Sequence, residues 1–418
     1  MLTLIGVPFT PIHRRQFIQH AGLFTASSLV AVGGHGWFAR TNAQTATPKR
    51  LIVVFLRGAA DGLNVVVPYK EAAYYENRPK IAIPQPEKPG GALDLDGQFG
   101  LHPALTDLMP LWNSKKLAFV PACGSPDATR SHFDAQDYME SGTPGTKSTQ
   151  EGWMNRLLAS LNTGRNPIQA INVGNTTPRI LTGKMSVATL ASGRAADNPL
   201  PIDRPQVAAA FDRLYDRNDK LGQTYKESRE ARQALMTVAT EMKAANNGAP
   251  SANGFVRDAQ RLAKIMVRDN RVQLAFLAIA GWDTHVNQGV SQGQFARNLQ
   301  QLGRGLIALQ QGLGAGFNDT TILVMSEFGR TVKENGNGGT DHGHGNVMWT
   351  VGGKVRGGIY GNWRGLAANQ LYQGRDVPVT TDFRDVVSSV LARHVGLSDA
   401  KLNSVFPNYT PKQAVKLL

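Results

Sequence analysis

A single cysteine, Cys123, stands in 418 residues, and that scarcity excludes an intramolecular disulfide framework and any zinc site built on thiolates. Stability has to come from core burial, and any metal has to be held by histidine and carboxylate. Long membrane-spanning runs are missing too. The apolar stretch "AGLFTASSLVAVGG" near the N-terminus is too short and too rich in Gly and Ser to cross a bilayer, so no permanent membrane anchor is expected. Acidic residues are outnumbered, 31 against 45 basic ones, giving a formal charge of +14. Yet no dense Lys/Arg block and no basic helix interleaved with aromatics occurs, so no nucleic-acid partner is expected. The remaining composition, 41% hydrophobic and 18% charged, is that of an ordinary globular chain rather than a disordered one.

What is present begins with "HRRQFIQ", His13 to Gln19. The pair Arg14-Arg15, Phe17, a weakly apolar run and the small residues of "TNAQTA" match a twin-arginine export signal over residues 1–46. This predicts recognition by the Tat translocase and a periplasmic or secreted product. Cleavage near Ala43 or Ala46 removes Arg14, Arg15 and Arg40 and no acid, so the mature charge is +14 − 3 = +11. Because this route carries folded proteins, it raises the expectation of a metal loaded before export.

Beyond the signal, residues 47–418 are expected to form one domain. The runs Leu51–Leu56, Lys116–Ala122, Ile168–Gly174, Val272–Gly281 and Thr320–Gly329 are nearly continuous in apolar residues, with Gly at or just beyond several of their ends, as in buried parallel strands. Helical patterns lie between them: "LHPALTDLMPLWNSKK", a charged segment from about Gln206 to Asn247 read as a helical insertion, and "SQGQFARNLQQLGRGLIALQQGL". A last helix in "TDFRDVVSSVLARHVG" has Asp382 as its cap and stops at Gly396. Strands alternating with helices predict an α/β fold, a three-layer α/β/α sandwich around a mostly parallel sheet.

In open α/β sheets ligands bind where strands end. Asp61, Asp283 with His285, and Glu327 follow predicted strands, in "RGAADGLN", "GWDTH" and "SEFGR". The stretch "GGTDHGHGN" then places Asp341, His342 and His344 within four positions, spaced by small residues. Carboxylates with neutral imidazoles suit zinc, manganese or a related divalent ion. All seven are therefore candidate metal ligands. Each also has a plain structural reading as a turn residue, an ion-pair partner or a surface group. Ser131, in "ATRSHFDAQDY", heads a predicted helix, where the helix dipole favours an anion; it reads equally as a nucleophile and as a helix cap with Asp134 three residues on. His132 is a candidate ligand or base, and Arg57 and Arg330 are candidates for holding an anion.

Together, "FLRGAADGLN", "RSHFDAQDYMESG", "GWDTH", "SEFGRT" and "DHGHG" resemble the bacterial DUF1501 family, often Tat-exported and grouped with the alkaline-phosphatase-like superfamily. The resemblance implies an alkaline-phosphatase-like α/β/α fold. Asp61 then resembles the first-strand metal aspartate, Ser131 the nucleophile, Asp283 with His285 an Asp/His metal pair, Glu327 a later carboxylate, and His342 or His344 the late histidine. Two departures stand out: Glu327-Phe328 replaces an Asp-His, and the Asp-to-His spacing in "GWDTH" is short. The glycine-spaced stretch is expected to fill the gap. "CGSPD" lacks the Cys/Ser-x-Pro-x-Arg pattern of sulfatases, so that activity is disfavoured. The expectation is an exported hydrolase of a phosphate ester or related anionic ester, with one or two divalent ions, acting on a small-molecule or polymer substrate. The alternative is a non-catalytic metal- or polymer-binding protein on the same fold.

Overall fold

The computed structural model describes residues 48–161, 166–174, 176–192, 204–217, 219–229, 254–412 and 415–418. The expected export signal, residues 1–46, lies outside these, as does the 230–247 part of the charged segment expected to be a helical insertion. Pro48–Leu418 forms a compact unit.

The main sheet has nine strands: β1 (Arg50–Leu56), β2 (Leu117–Gly124), β3 (Ala170–Val173), β4 (Ala188–Leu190), β5 (Leu274–Ile279), β6 (Thr320–Ser326), β7 (Asn346–Gly352), β8 (Gly358–Ile359) and β9 (Thr381–Asp382). Their spatial order is β8-β2-β7-β6-β1-β5-β3-β4, with β9 also pairing with β2. Every pairing is parallel except those of β7, which runs against both β2 and β6. All five expected strands are present; β7, "NVMWTVG", was not among them.

Successive side chains of a strand point to opposite faces, and β1 shows what covers each. Ile52, Val54 and Leu56 pack in one cluster with Leu262 and Leu299, on α4 (Gly254–Arg268) and α5 (Gln294–Leu313). Leu51, Val53 and Phe55 pack in a second cluster with Met139, Leu157, Val387 and Val405. Those four sit on α1 (His132–Ser141), α2 (Trp153–Ser160), α6 (Phe383–Val390) and α7 (Asp399–Val405). The sheet is therefore buried on both sides, as a three-layer sandwich requires. Within the charged segment, α3 (Pro205–Leu214) is followed by helix at 220–229. The expected helix after Leu101 is instead a 3-10 turn, Pro103–Leu108, and a five-residue helix, Met109–Asn113. Proline stands in the first turn of each, where its missing N–H costs no hydrogen bond. α6 is capped by Asp382, which accepts from the Arg384 N–H, and the chain leaves the helical turn that follows it at Gly396 with φ of 80°; it is not the last helix, because α7 follows.

Register sets the level of the site. Leu56 lies opposite both Ile279 and Ser326, so β1, β5 and β6 end together. Because β7 is antiparallel, the loop before it arrives at that same edge.

Candidate metal centre

Four side chains converge at this edge. Asp283 lies four residues past β5, with His285 two further on; His132 is the first residue of α1, after β2; His342 lies four residues before β7. The Nε2 atoms of His132, His285 and His342 stand 3.6, 3.0 and 3.3 Å from Asp283 Oδ1. One ligand atom from each of His132, Asp283 and His342 fits within 4.8 Å of the others. His285 adjoins them, its Nε2 3.0 Å from that of His342.

The opposite nitrogen of every ring is held by oxygen. His132 Nδ1 is 2.8 Å from Glu327 Oε1, His342 Nδ1 2.9 Å from the Arg130 carbonyl, and His285 Nδ1 3.3 Å from Asp341 Oδ1. Carbonyls and carboxylates only accept, so in the neutral ring an Nδ1 that donates to its oxygen leaves the lone pair on Nε2. With the rings neutral, three lone pairs converge on Asp283 Oδ1, which already accepts from Arg330, and a cation or proton among them relieves the repulsion between the rings. His132 Nε2 is buried and has no hydrogen-bond partner. Oxygen acceptors behind each imidazole are the support found behind metal-ligating histidines. The donor set, its backing and the orphaned Nε2 all fit a divalent ion.

The charges are arranged accordingly. Glu327 is fully buried, and burial pushes its carboxyl up; hydrogen bonds from His132, Gln136 and the Gly58 N–H override this and hold it below its usual range. Burial likewise opposes ionisation of Asp283, but the Arg330 guanidinium, 2.5 Å away, and the neighbouring imidazoles bring it down. The Glu327 hydrogen bond raises His132, whereas burial lowers His342. The Asn335 amide, aided by His285, lowers Asp341.

The glycine-spaced stretch is closely packed rather than a loose tether. Its backbone pairs with residues 329–331: Gly343 N–H donates to the Gly329 carbonyl, Gly329 N–H to that of His344, and Thr331 N–H to that of Asp341. A Cβ on Gly339 would fall 2.4 Å from the His285 carbonyl, and one on Gly343 2.5 Å from the Arg330 backbone. Glycine here permits close approach of two chains.

Several expected site residues lie elsewhere or act differently. Asp61 is not in the group: its carboxylate is fully buried and gripped by the Arg78 guanidinium at 2.6 and 3.0 Å, with the Gln288 amide at 2.7 Å. Arg78, seventeen residues on, cancels the charge that a metal was expected to neutralise. His344 also stands apart, its ring 4.6 Å from that of Tyr372, and burial lowers its pKa. Glu327 and Asp341 support imidazoles. Arg330 is buried, its donors spent on the carbonyls of Ala59, Gly58, Trp282 and Thr340 and on Asp283. Arg57 is engaged by Glu140 and Gln136. Ser131 is exposed and caps α1, its Oγ accepting from the Asp134 N–H at 3.5 Å; its chain neighbours, Arg130 and His132, both touch the cluster. Arg78 and Gln288 escaped sequence reasoning because their spacing carries no motif, and Gln136, although inside "RSHFDAQDYMESG", was not singled out there.

The fold and site define an α/β protein with a histidine–carboxylate centre at the strand ends. The family described as "Protein of unknown function (DUF1501)" matches residues 48–406, and the chain belongs to it. No curated protein matches the chain. Among solved structures it is similar to a protein in the alkaline phosphatase superfamily from Vibrio parahaemolyticus, at 10% identity and a TM-score of 0.36, covering 75% of this chain and 62% of that one. It is similar to the C-terminal periplasmic domain of EcEptC from Escherichia coli, in complex with Zn, at 11% and 0.38, covering 88% and 89%. It is also similar to the lipoteichoic acid synthase LtaP from Listeria monocytogenes, at 10% and 0.33, covering 73% and 66%. Among the described residues no helix is long and apolar enough to cross a membrane.

Proposed function

We propose that this protein is an exported metal-dependent hydrolase of a phosphate ester or related anionic ester. The convergence of three imidazole Nε2 atoms on Asp283 Oδ1, each ring backed by an oxygen acceptor, carries the reading. His132, Asp283 and His342 would hold one divalent ion, with His285 beside them; the imidazoles suit zinc, and manganese would rest on the carboxylate oxygens. When bound, the ion would supply a Lewis acid that polarises an ester oxygen. Glu327, the Arg130 carbonyl and Asp341 fix the tautomers that keep Nε2 available. Ser131 presents a hydroxyl at the head of α1, and is the proposed nucleophile. Arg14-Arg15 would direct export through the Tat translocase.

A metal-holding protein without turnover is the second reading, favoured by the locking of Asp61 onto Arg78 and the saturation of Arg330. Elemental analysis of the purified mature protein, with His132→Ala and His342→Ala beside it, tests the centre. A panel of phosphomonoesters, phosphodiesters and sulfate esters separates the two readings. Metal that survives in both variants would sink the site assignment. Full metal without turnover on the panel would leave the binding protein.

A further inference from the structure

Both arginines expected to hold an anion are consumed by the protein, so a cationic contact for substrate has to come from elsewhere. Two other arginines touch His342, one through its backbone and one through its guanidinium. The Arg130 carbonyl accepts from His342 Nδ1, and Arg375 Nη2 donates to the His342 carbonyl at 3.0 Å. Their side chains meet on one atom, Asp376 Oδ2, at 2.6 Å from Arg130 and 3.4 Å from Arg375.

Asp376 does not use up this pair. It is a single buried carboxylate against two guanidiniums, and its Oδ1 has no hydrogen-bond partner. Arg130 also donates through Nη2 to Gln373 Oε1 at 3.0 Å, and its Nε, without a partner, is buried. Arg130 and Arg375 keep 33% and 40% of their side chains exposed, whereas Arg330 keeps none. Asp341, the acid whose charge Arg375 offsets, is already engaged by Asn335 and His285. Partly exposed guanidiniums that meet on one carboxylate, one on a residue whose carbonyl accepts from the His342 ring and the other bonded to the His342 carbonyl, present forks of the kind that bind tetrahedral oxyanions.

We infer that Arg130 and Arg375 form the oxyanion-binding clamp of the site, holding the phosphate or sulfate group of the substrate beside His342. The inference rests on the hydrolase reading for its location, but not on the metal for its test. Asp376 holds the two forks side by side, and Arg375 is the more dispensable to the fold because Asp376 keeps Arg130 when Arg375 is removed.

Inorganic phosphate, then sulfate, is titrated calorimetrically into the mature protein, metal-loaded and metal-free, with bound metal and melting temperature recorded for each sample. Arg375→Ala should weaken phosphate binding about tenfold or more, with metal content and melting temperature unchanged; Arg375→Lys should restore only part of the loss. Arg130→Ala should weaken binding at least as much. The same loss in metal-free protein would keep the clamp even if no metal is held, which separates it from the hydrolase reading. Unchanged phosphate affinity in Arg375→Ala and Arg130→Ala would overturn the clamp. So would a wild-type protein that binds neither phosphate nor sulfate in either form.

Discussion

Two carboxylates follow strands at the same edge of the sheet and meet opposite fates. Asp61, after β1, is sealed with Arg78 and Gln288, and both its oxygens are spent inside the protein. Asp283, after β5, keeps nearly half of its side chain exposed and faces the Nε2 atoms of three imidazoles. Position at a strand end is common to both, so position alone does not make a ligand. Each has an arginine of the chain's own, so what distinguishes them is how completely they are enclosed: both Asp61 oxygens are tied up in the interior, whereas Asp283 meets Arg330 at Oδ1 and stays open to the imidazoles and to solvent. A buried histidine repeats the contrast. His102 accepts from the Ala104 N–H at Nδ1 and lies 3.0 Å from the Val290 carbonyl at Nε2, so both ring nitrogens are satisfied. His132 leaves one unsatisfied.

The largest expected effect comes from breaking the sealed pair. Arg78→Ala strands a buried carboxylate and should cost about 3–5 kcal/mol of unfolding free energy, read by urea titration. It also sharpens the comparison at the other side: bound metal should stay at one ion per chain. A second ion appearing in Arg78→Ala would show that Asp61 is a ligand held in check, and the contrast between the two carboxylates would fall.

Next is the acid sensitivity of the closed side. Burial lowers His102 from 6.5 to about 4. Above pH 6.5 neither folded nor unfolded chain protonates it, and it adds nothing. As pH falls through 6.5 toward 4, the unfolded chain takes up a proton that the folded one refuses, so stability drops. Between pH 7 and pH 5 the loss from this one group is about 2 kcal/mol. His102→Gln, which keeps a donor and an acceptor, should flatten the pH dependence of urea unfolding by that amount. An unchanged slope would mean that His102 is not the buried neutral base described.

The layers and most strands were legible in the sequence because continuous apolar runs such as Leu51–Leu56 report a strand buried on both faces. β7 was not foreseen, although it is buried throughout, and only its reversed direction explains how His342 reaches the edge. The candidate residues were legible as a set, since Asp283, His285 and His342 carry their chemistry in their names. Their division into holders and supporters was not, because Glu327 and Asp341 differ from Asp283 only in which atom they face. The pairing of Asp61 was hidden for the same reason: Arg78 lies in a loop with no motif, and only the fold brings it to the carboxylate.

The smallest effects concern the supporting carboxylates, which differ from each other in burial. Glu327 is fully buried, 2.8 Å from His132 Nδ1, and also accepts from Gly58 and Gln136. Glu327→Gln keeps the shape, removes the charge behind His132 and should lower metal affinity about 10- to 100-fold, measured by competition with a chelator. Asp341 is 56% exposed and 3.3 Å from His285 Nδ1, where solvent screens it and water can take its place. His285 also stands outside the group of His132, Asp283 and His342, whose ligand atoms all lie within 4.8 Å of one another. Asp341→Asn should therefore change metal affinity less than about threefold, within what an exposed pair contributes. Equal losses in the two variants would mean that burial does not set the strength of the support and that His285 ligates on the same footing as His132. A greater loss in Asp341→Asn than in Glu327→Gln would move the centre of the site onto the glycine-spaced stretch.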